Sequence, residues 1–152
     1  MEAQSAPTID RGAPVVGAGE IVIEAPADAV WDVLTAIERW PSWNPEVKEV
    51  SIAGAVAPGT QFRWKAGPGT ITSTLQHVDR PHVIAWTGRT FGMKAFHVWR
   101  LEPNNGATRV QTEETFDGLM ARLFRRRLSK TLTSSLENGL RHLKTEAERR
   151  AD

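Results

Sequence analysis

The 152-residue chain has no cysteine, no tyrosine, no marked excess of either charge and no long apolar run. Without cysteine there are no disulfides, zinc thiolates, iron–sulfur clusters or thiol nucleophiles. With 19 Lys+Arg against 18 Asp+Glu the formal net charge is +1 at pH 7, too weak a field to argue for a nucleic-acid partner. No stretch approaches the roughly 18 apolar residues of a membrane span, and no basic segment leads into an apolar one, so neither a span nor a signal peptide is expected. Nothing calls for an oxidising compartment, and the expectation is a cytoplasmic protein. The missing tyrosine stands against six Trp and five Phe. Whatever these rings line is more apolar than a usual aromatic mix would make it. A chain of this length fits one domain with its own core.

Residues 1–13 are small, polar and broken by Pro7 and Gly12, which predicts a disordered leader before a single domain over residues 14–149. The β-branched residues between Val15 and Glu24 predict a first strand, interrupted at Gly17 to Gly19. Val30, Trp31, Leu34 and Ile37 then recur at the spacing of one helix face, so residues 26–37 read as an amphipathic helix with Pro26 in its first turn. The stretch ERWPSWNPE over residues 38–46 cannot continue that helix past Trp40 and reads as a short helical turn and a loop. Beyond it come six β-rich runs at 47–53, 60–66, 70–79, 83–90, 94–102 and 108–116, separated by turn signals. Connections this short predict an antiparallel meander. From Leu119 to about Arg149 leucines recur every three to five residues, predicting one helix of about 30 residues, roughly 45 Å long, with its apolar stripe buried on the sheet. The sum is an α+β domain in which a curved antiparallel sheet closes around a long terminal helix and leaves apolar space between them.

The last hairpin is the most informative segment. With Asn105 and Gly106 at the turn, Leu101 faces Val110, Trp99 faces Thr112 and His97 faces Glu114. Leu101 and Val110 are apolar and point inward, and strand alternation then turns Trp99, His97, Thr112, Glu114 and Phe116 inward too. Either Glu114 holds one ring nitrogen of His97 while the other serves as proton donor or acceptor for a bound carbonyl or hydroxyl, or the two only satisfy each other at the cavity wall. Phe62 with Trp64, Ile84 with Trp86, and Ile71, Ser73 and Leu75 form further inward rows, each able to fill a core or to touch a ligand. Buried indole N–H groups need acceptors, and few face inward.

The other histidines, His77, His82 and His142, have no second ligand at metal spacing, so no metal is expected. Arg122, Arg125, Arg126, Arg127 and Lys130 lie beside Leu119, Leu123, Phe124 and Leu128 at the start of the last helix. Such a segment is either a solvated face on a core helix or a weak contact for an anionic membrane.

The opening IVIEAPADAVWDVLTAIERWPSWNPEV, the FRW and IAWTGR strands, the HVWRLEPNNGATRVQTEETFDGL hairpin and the amphipathic terminal helix resemble the SRPBCC (START/Bet v 1-like) superfamily over residues 15–148. Within it the likeness is to the bacterial polyketide cyclase/dehydrase branch. The resemblance implies a helix-grip fold, a seven-stranded antiparallel sheet around the C-terminal helix with a deep hydrophobic cavity; no cofactor is expected. It places Trp43, Asn44, Pro45, Trp86, His97, Trp99 and Glu114 at recurrent family positions, without a universal catalytic set. Three functions are therefore expected in order. The first is binding of a small hydrophobic molecule, aromatic, polycyclic or lipid-like, against Trp43, Phe62, Trp64, Ser73, Trp86, His97, Trp99, Thr112, Glu114 and Phe116. The second is a cyclase/aromatase-like activity with proton transfer by His97 and Glu114, and the third is lipid or quinone carriage. Without tyrosine the cavity has no phenolic acids or bases, which ranks binding above catalysis.

Overall fold

A computed structural model describes residues 6–151 of the chain. Seven strands, β1 (Val15–Ile23), β2 (Glu49–Ile52), β3 (Gln61–Lys65), β4 (Thr70–Asp79), β5 (Val83–Thr90), β6 (Met93–Asn104) and β7 (Ala107–Asp117), make one curved antiparallel sheet in the order β1-β7-β6-β5-β4-β3-β2. Each expected β run is a strand, and the turn of the last hairpin is as expected. Asn105 and Gly106 take φ of 52 and 86, the left-handed pair a two-residue hairpin turn needs, and they bring His97 opposite Glu114.

Between β1 and β2 lie α1 (Ala27–Thr35), a single 3-10 turn (Ile37–Arg39) and α2 (Trp40–Trp43). Pro41 falls in the first turn of α2, where its missing N–H leaves no hydrogen bond unmade, so a new helix starts where α1 cannot continue. Val30, Trp31, Val33 and Leu34 of α1 are buried with Trp40 against the sheet.

Two expectations are corrected at β1 and at the chain's last third. β1 runs without interruption, and its glycines serve contact rather than a break. A Cβ on Gly17 would lie 2.8 Å from Leu132 Cγ, and one on Gly19 2.8 Å from Leu140 Cδ1. Glycine lets the terminal helix sit directly on the strand. The single long helix is two: α3 (Leu119–Leu123) and α4 (Arg125–Ala151), parted at Phe124 with φ −115 and ψ 33. The chain leaves β7 at Gly118, whose Cβ would lie 2.3 Å from the carbonyl oxygen of Gly92, and α3 lies over that turn before α4 sets off along the sheet. Of α3 only Ala121 is buried, whereas Leu132, Leu136, Leu140 and Leu143 of α4 are all in the core. The expected apolar stripe therefore begins at Leu128, which is half-buried, and not at Leu119.

The first five residues of the expected leader lie outside the described residues. Residues 6–13 have a place on the outer face of the sheet. Ile9 is buried against Val83, Ala85 and Val98, Arg100 donates to the Pro7 carbonyl at 2.8 Å, and Arg11 pairs with Glu113 at 2.9 Å. This part of the leader covers an apolar patch that the alternation of β5 and β6 turns outward.

Candidate functional site

Sheet register builds the site. One cross-strand row reads Leu75, Trp86, His97, Glu114, Gly17, and the next on the same face, two residues along the strands towards the β5–β6 turn, reads Phe62, Ser73, Gly88, Ala95, Phe116, Val15. The second row has a serine, a glycine and an alanine side by side in the middle of the sheet. Those missing side-chain volumes leave room under α4.

The space has two lobes. The smaller, about 100 Å³, is bounded by Trp43, Trp64, Trp86, His97, Trp99 and Glu114. The larger, about 250 Å³, lies over the small-residue row and is bounded by Ser73, Phe91, Ala95, Phe116 and Leu132. Trp64, Ala66, Trp86, Glu114 and Ser135 line both, so Glu114 stands where the lobes meet. Together they fall just inside the lower end of the range of ligand pockets, which begins at roughly 300 Å³. Glu46 shuts the far side of the smaller lobe, its carboxylate accepting from Ser135 and Asn138 of α4 at 3.3 Å each.

Hydrogen bonding assigns the His97 tautomer. The Thr112 hydroxyl donates to the Val98 carbonyl at 3.2 Å, so its oxygen must accept from His97 Nε2 at 2.7 Å. His97 then carries its proton on Nε2 and presents an acceptor at Nδ1, 3.5 Å from a Glu114 carboxyl oxygen. Both side chains are largely out of water, 9% and 14% exposed. Burial pushes His97 down to about 3 and Glu114 up to about 8. The close approach alone would suggest an ion pair; desolvation outweighs it, and at neutral pH the pair is an uncharged imidazole beside a protonated carboxyl group. The His97 ring lies between Trp86, at 4.9 Å between centroids, and Trp99, at 5.2 Å.

Indole donors divide into satisfied and unsatisfied. Trp40 donates to the Leu34 carbonyl at 2.9 Å, and Trp64 to the Ser73 hydroxyl at 3.0 Å. The Nε1 atoms of Trp43 and Trp99 are buried without a protein partner, as is Nδ1 of His97. Buried polar atoms are nearly always paired, and these three stand around one small lobe.

Of the expected ligand-binding residues, Trp43, Trp64, Ser73, Trp86, His97, Trp99, Glu114 and Phe116 line the lobes. Phe62 sits in the core, edge-on to Trp40 and Trp86, and lines neither. Thr112 stands behind His97 and orients it. Sequence reasoning missed the α4 wall, Ser135, Leu136 and Gly139, and the turn residue Phe91. Small residues at 135 and 139, one helical turn apart beside the leucine stripe, were the readable signal for the former. Among the described residues no three His, Asp or Glu side chains come together as metal ligands.

Solved structures share this architecture. An aromatase/cyclase from a Streptomyces species superposes with a TM-score of 0.78 at 21% identity, covering 90% of this chain and 95% of that one. A hypothetical protein of Helicobacter pylori gives 0.82 at 14% identity over 97% and 99% of the two chains. A START superfamily protein of Mycobacterium smegmatis gives 0.68 at 16%, over 90% and 96%. No curated protein matches the chain at a significant level. Residues 16–148 match the family model described as polyketide cyclase / dehydrase and lipid transport. With that match spanning most of its length and a helix-grip sheet holding α4, the chain belongs to the polyketide cyclase/dehydrase and lipid transport family.

Proposed function

We propose that the chain binds a small, largely apolar molecule that carries hydrogen-bonding oxygen atoms, in the two-lobed cavity between the sheet and α4. The observation that carries this reading is the set of three unpartnered buried atoms, two indole N–H donors and one imidazole acceptor, on residues that otherwise offer apolar ring surface. A carbonyl oxygen suits Trp43 or Trp99, a hydroxyl suits His97 Nδ1, and the rings favour a planar or polycyclic body. Five of the six tryptophans line the cavity, so ligand titration is readable as tryptophan fluorescence. Saturable quenching by hydroxylated bicyclic or tricyclic aromatics, at one ligand per chain by native mass spectrometry, is the expected result. Ser135→Phe, which puts a ring where the lobes meet from an exposed helix position, should abolish it. Absence of any saturable binding across such a panel rejects the reading.

A second reading, proton transfer, is favoured by the protonation states of the central pair. A protonated Glu114 can deliver its proton to a carbonyl oxygen while His97 Nδ1 accepts one from a neighbouring carbon or hydroxyl, which is the bookkeeping of aldol closure or loss of water in an oxygenated chain. Glu114→Gln separates the two: binding with lost turnover supports catalysis, and unchanged turnover of a bound, cyclisable substrate removes it.

A further inference from the structure

Six large hydrophobic side chains are exposed among the described residues, and five of them gather at one end of the molecule: Phe91, Leu119, Met120, Leu123 and Phe124. The first, second and fourth are 74%, 68% and 64% exposed. They are neighbours in space. Leu119 and Leu123 are one turn apart on α3, and the Phe91-Gly92 turn packs against Gly118 and Met120, with a Cβ on Gly92 falling 3.6 Å from Met120 Cγ. A patch of this kind is a contact surface rather than an unfinished core.

Its rim is cationic. Arg122, Arg125, Arg126, Arg127 and Lys130 are all exposed, and the sequence has no Asp or Glu from Gly118 to Leu136. Among the described residues none of the five pairs with a carboxylate. Three of these arginines occupy the first turn of the 27-residue α4, which has no acidic residue there. That is the wrong end for cations, because free N–H groups and the helix dipole already make it positive. Folding gains nothing from this arrangement. An anion outside the protein would be favoured by the side chains and by the helix end together.

We infer that this end of the molecule docks on an anionic phospholipid bilayer, with Leu119, Leu123 and Phe124 entering the interface and the arginines resting among the headgroups. Charge complementarity selects an anionic partner, and the apolar side chains between the arginines select one with a hydrocarbon interior. A nucleic acid would meet the arginines and leave Leu119 and Leu123 in water. The docking is peripheral, since among the described residues no helix is long and apolar enough to cross a membrane. Phe91 both belongs to this patch and lines the larger lobe, so docking sets the cavity against the bilayer. Passage of a ligand between the two rests on the binding function proposed above; the docking does not.

The test is co-sedimentation of the full chain with vesicles of phosphatidylcholine alone and of phosphatidylcholine containing about one third phosphatidylserine. Binding should appear with phosphatidylserine and weaken as salt is raised. Arg125→Gln, Arg126→Gln and Arg127→Gln together should lower the partition coefficient on the order of a hundredfold. Leu119→Ser with Leu123→Ser, both exposed positions, should lower it at least tenfold with circular dichroism and fluorescence-detected ligand binding in solution unchanged. Binding indifferent to phosphatidylserine overturns the inference, and so does binding unaffected by the two leucine substitutions or displaced by duplex DNA in the same way in wild type and leucine variant.

Discussion

A Glu114 carboxyl oxygen stands 3.5 Å from Nδ1 of His97, across the β6–β7 ladder and at the meeting point of the two lobes. The pair is built to stay uncharged. His97 is held from behind by Thr112 and flanked by indole rings, and among the described residues Glu114 forms no ion pair with a Lys or Arg, so burial governs its carboxyl group. A dry acid thus stands beside a dry base where the two lobes of an apolar cavity meet.

Stability should therefore depend on pH in a way that each partner's substitution changes separately. Glu114 moves from 4.5 to about 8 on folding, so its contribution is complete below 4.5 and is lost as pH rises through 8. His97 moves from 6.5 to about 3, so its contribution is present above 6.5 and is lost as pH falls towards 3. Between 4.5 and 6.5 the two slopes oppose and stability is flat; from 6.5 to 8 only Glu114 acts, and wild type should lose about 2 kcal/mol. Urea midpoints across that range should fall for wild type and stay level for Glu114→Gln. Parallel curves for the two proteins would remove the assigned protonation state.

Thr112 is an orienting group, and its loss should be read at His97. Thr112→Val deletes the acceptor of the Nε2 proton and strands a buried donor, at a cost of about 1–3 kcal/mol. Imidazole 15N shifts should show an Nε2-protonated ring in wild type and a changed tautomer mixture in the variant. A ring protonated on Nδ1 in wild type would contradict the hydrogen-bond assignment.

The hairpin was legible because a two-residue turn sets register, and register sets which side chains meet. From Asn105-Gly106 alone, Trp99, His97, Thr112 and Glu114 could be placed on one face, and the structure has them there. The break at Phe124 was not legible, since leucines continue in helical spacing through it, and the packing of α3 on the Gly92 turn joins residues more than twenty apart in sequence. The cavity itself depends on absences: Gly88 and Ala95 are unremarkable one by one and make a space only when strand pairing sets them beside Ser73. Gly17 and Gly19 were misread for the same reason, because what a glycine makes room for lies on a different element.

The leader should contribute to stability. Ile9 is buried among Val83, Ala85 and Val98, and Ile9→Ala should cost about 2 kcal/mol by the removal of buried methyl and methylene groups. The same substitution opens an apolar patch on the outer face, so dye binding by that face should rise. A variant with wild-type urea midpoint would show that the Ile9 contact adds nothing to stability.

Closeness of α4 to β1 gives a pair of substitutions whose costs should differ in a known order. A Cβ on Gly17 meets Leu132 at its branched Cγ, 2.8 Å away, and also Cδ2 at 2.9 Å, so no rotation of the leucine tip clears it. On Gly19 the 2.8 Å contact is to Leu140 Cδ1, the end of a side chain that can turn. Gly17→Ala should therefore cost about 1–3 kcal/mol by pushing α4 away from the strand, with Gly19→Ala costing less. Because Leu132 also walls the larger lobe, Gly17→Ala should alter ligand affinity as well as the urea midpoint, while Gly19→Ala, away from both lobes, should alter the midpoint alone. Equal costs, or a Gly19→Ala variant less stable than Gly17→Ala, would show that backbone freedom at these glycines, not contact with α4, governs the strand.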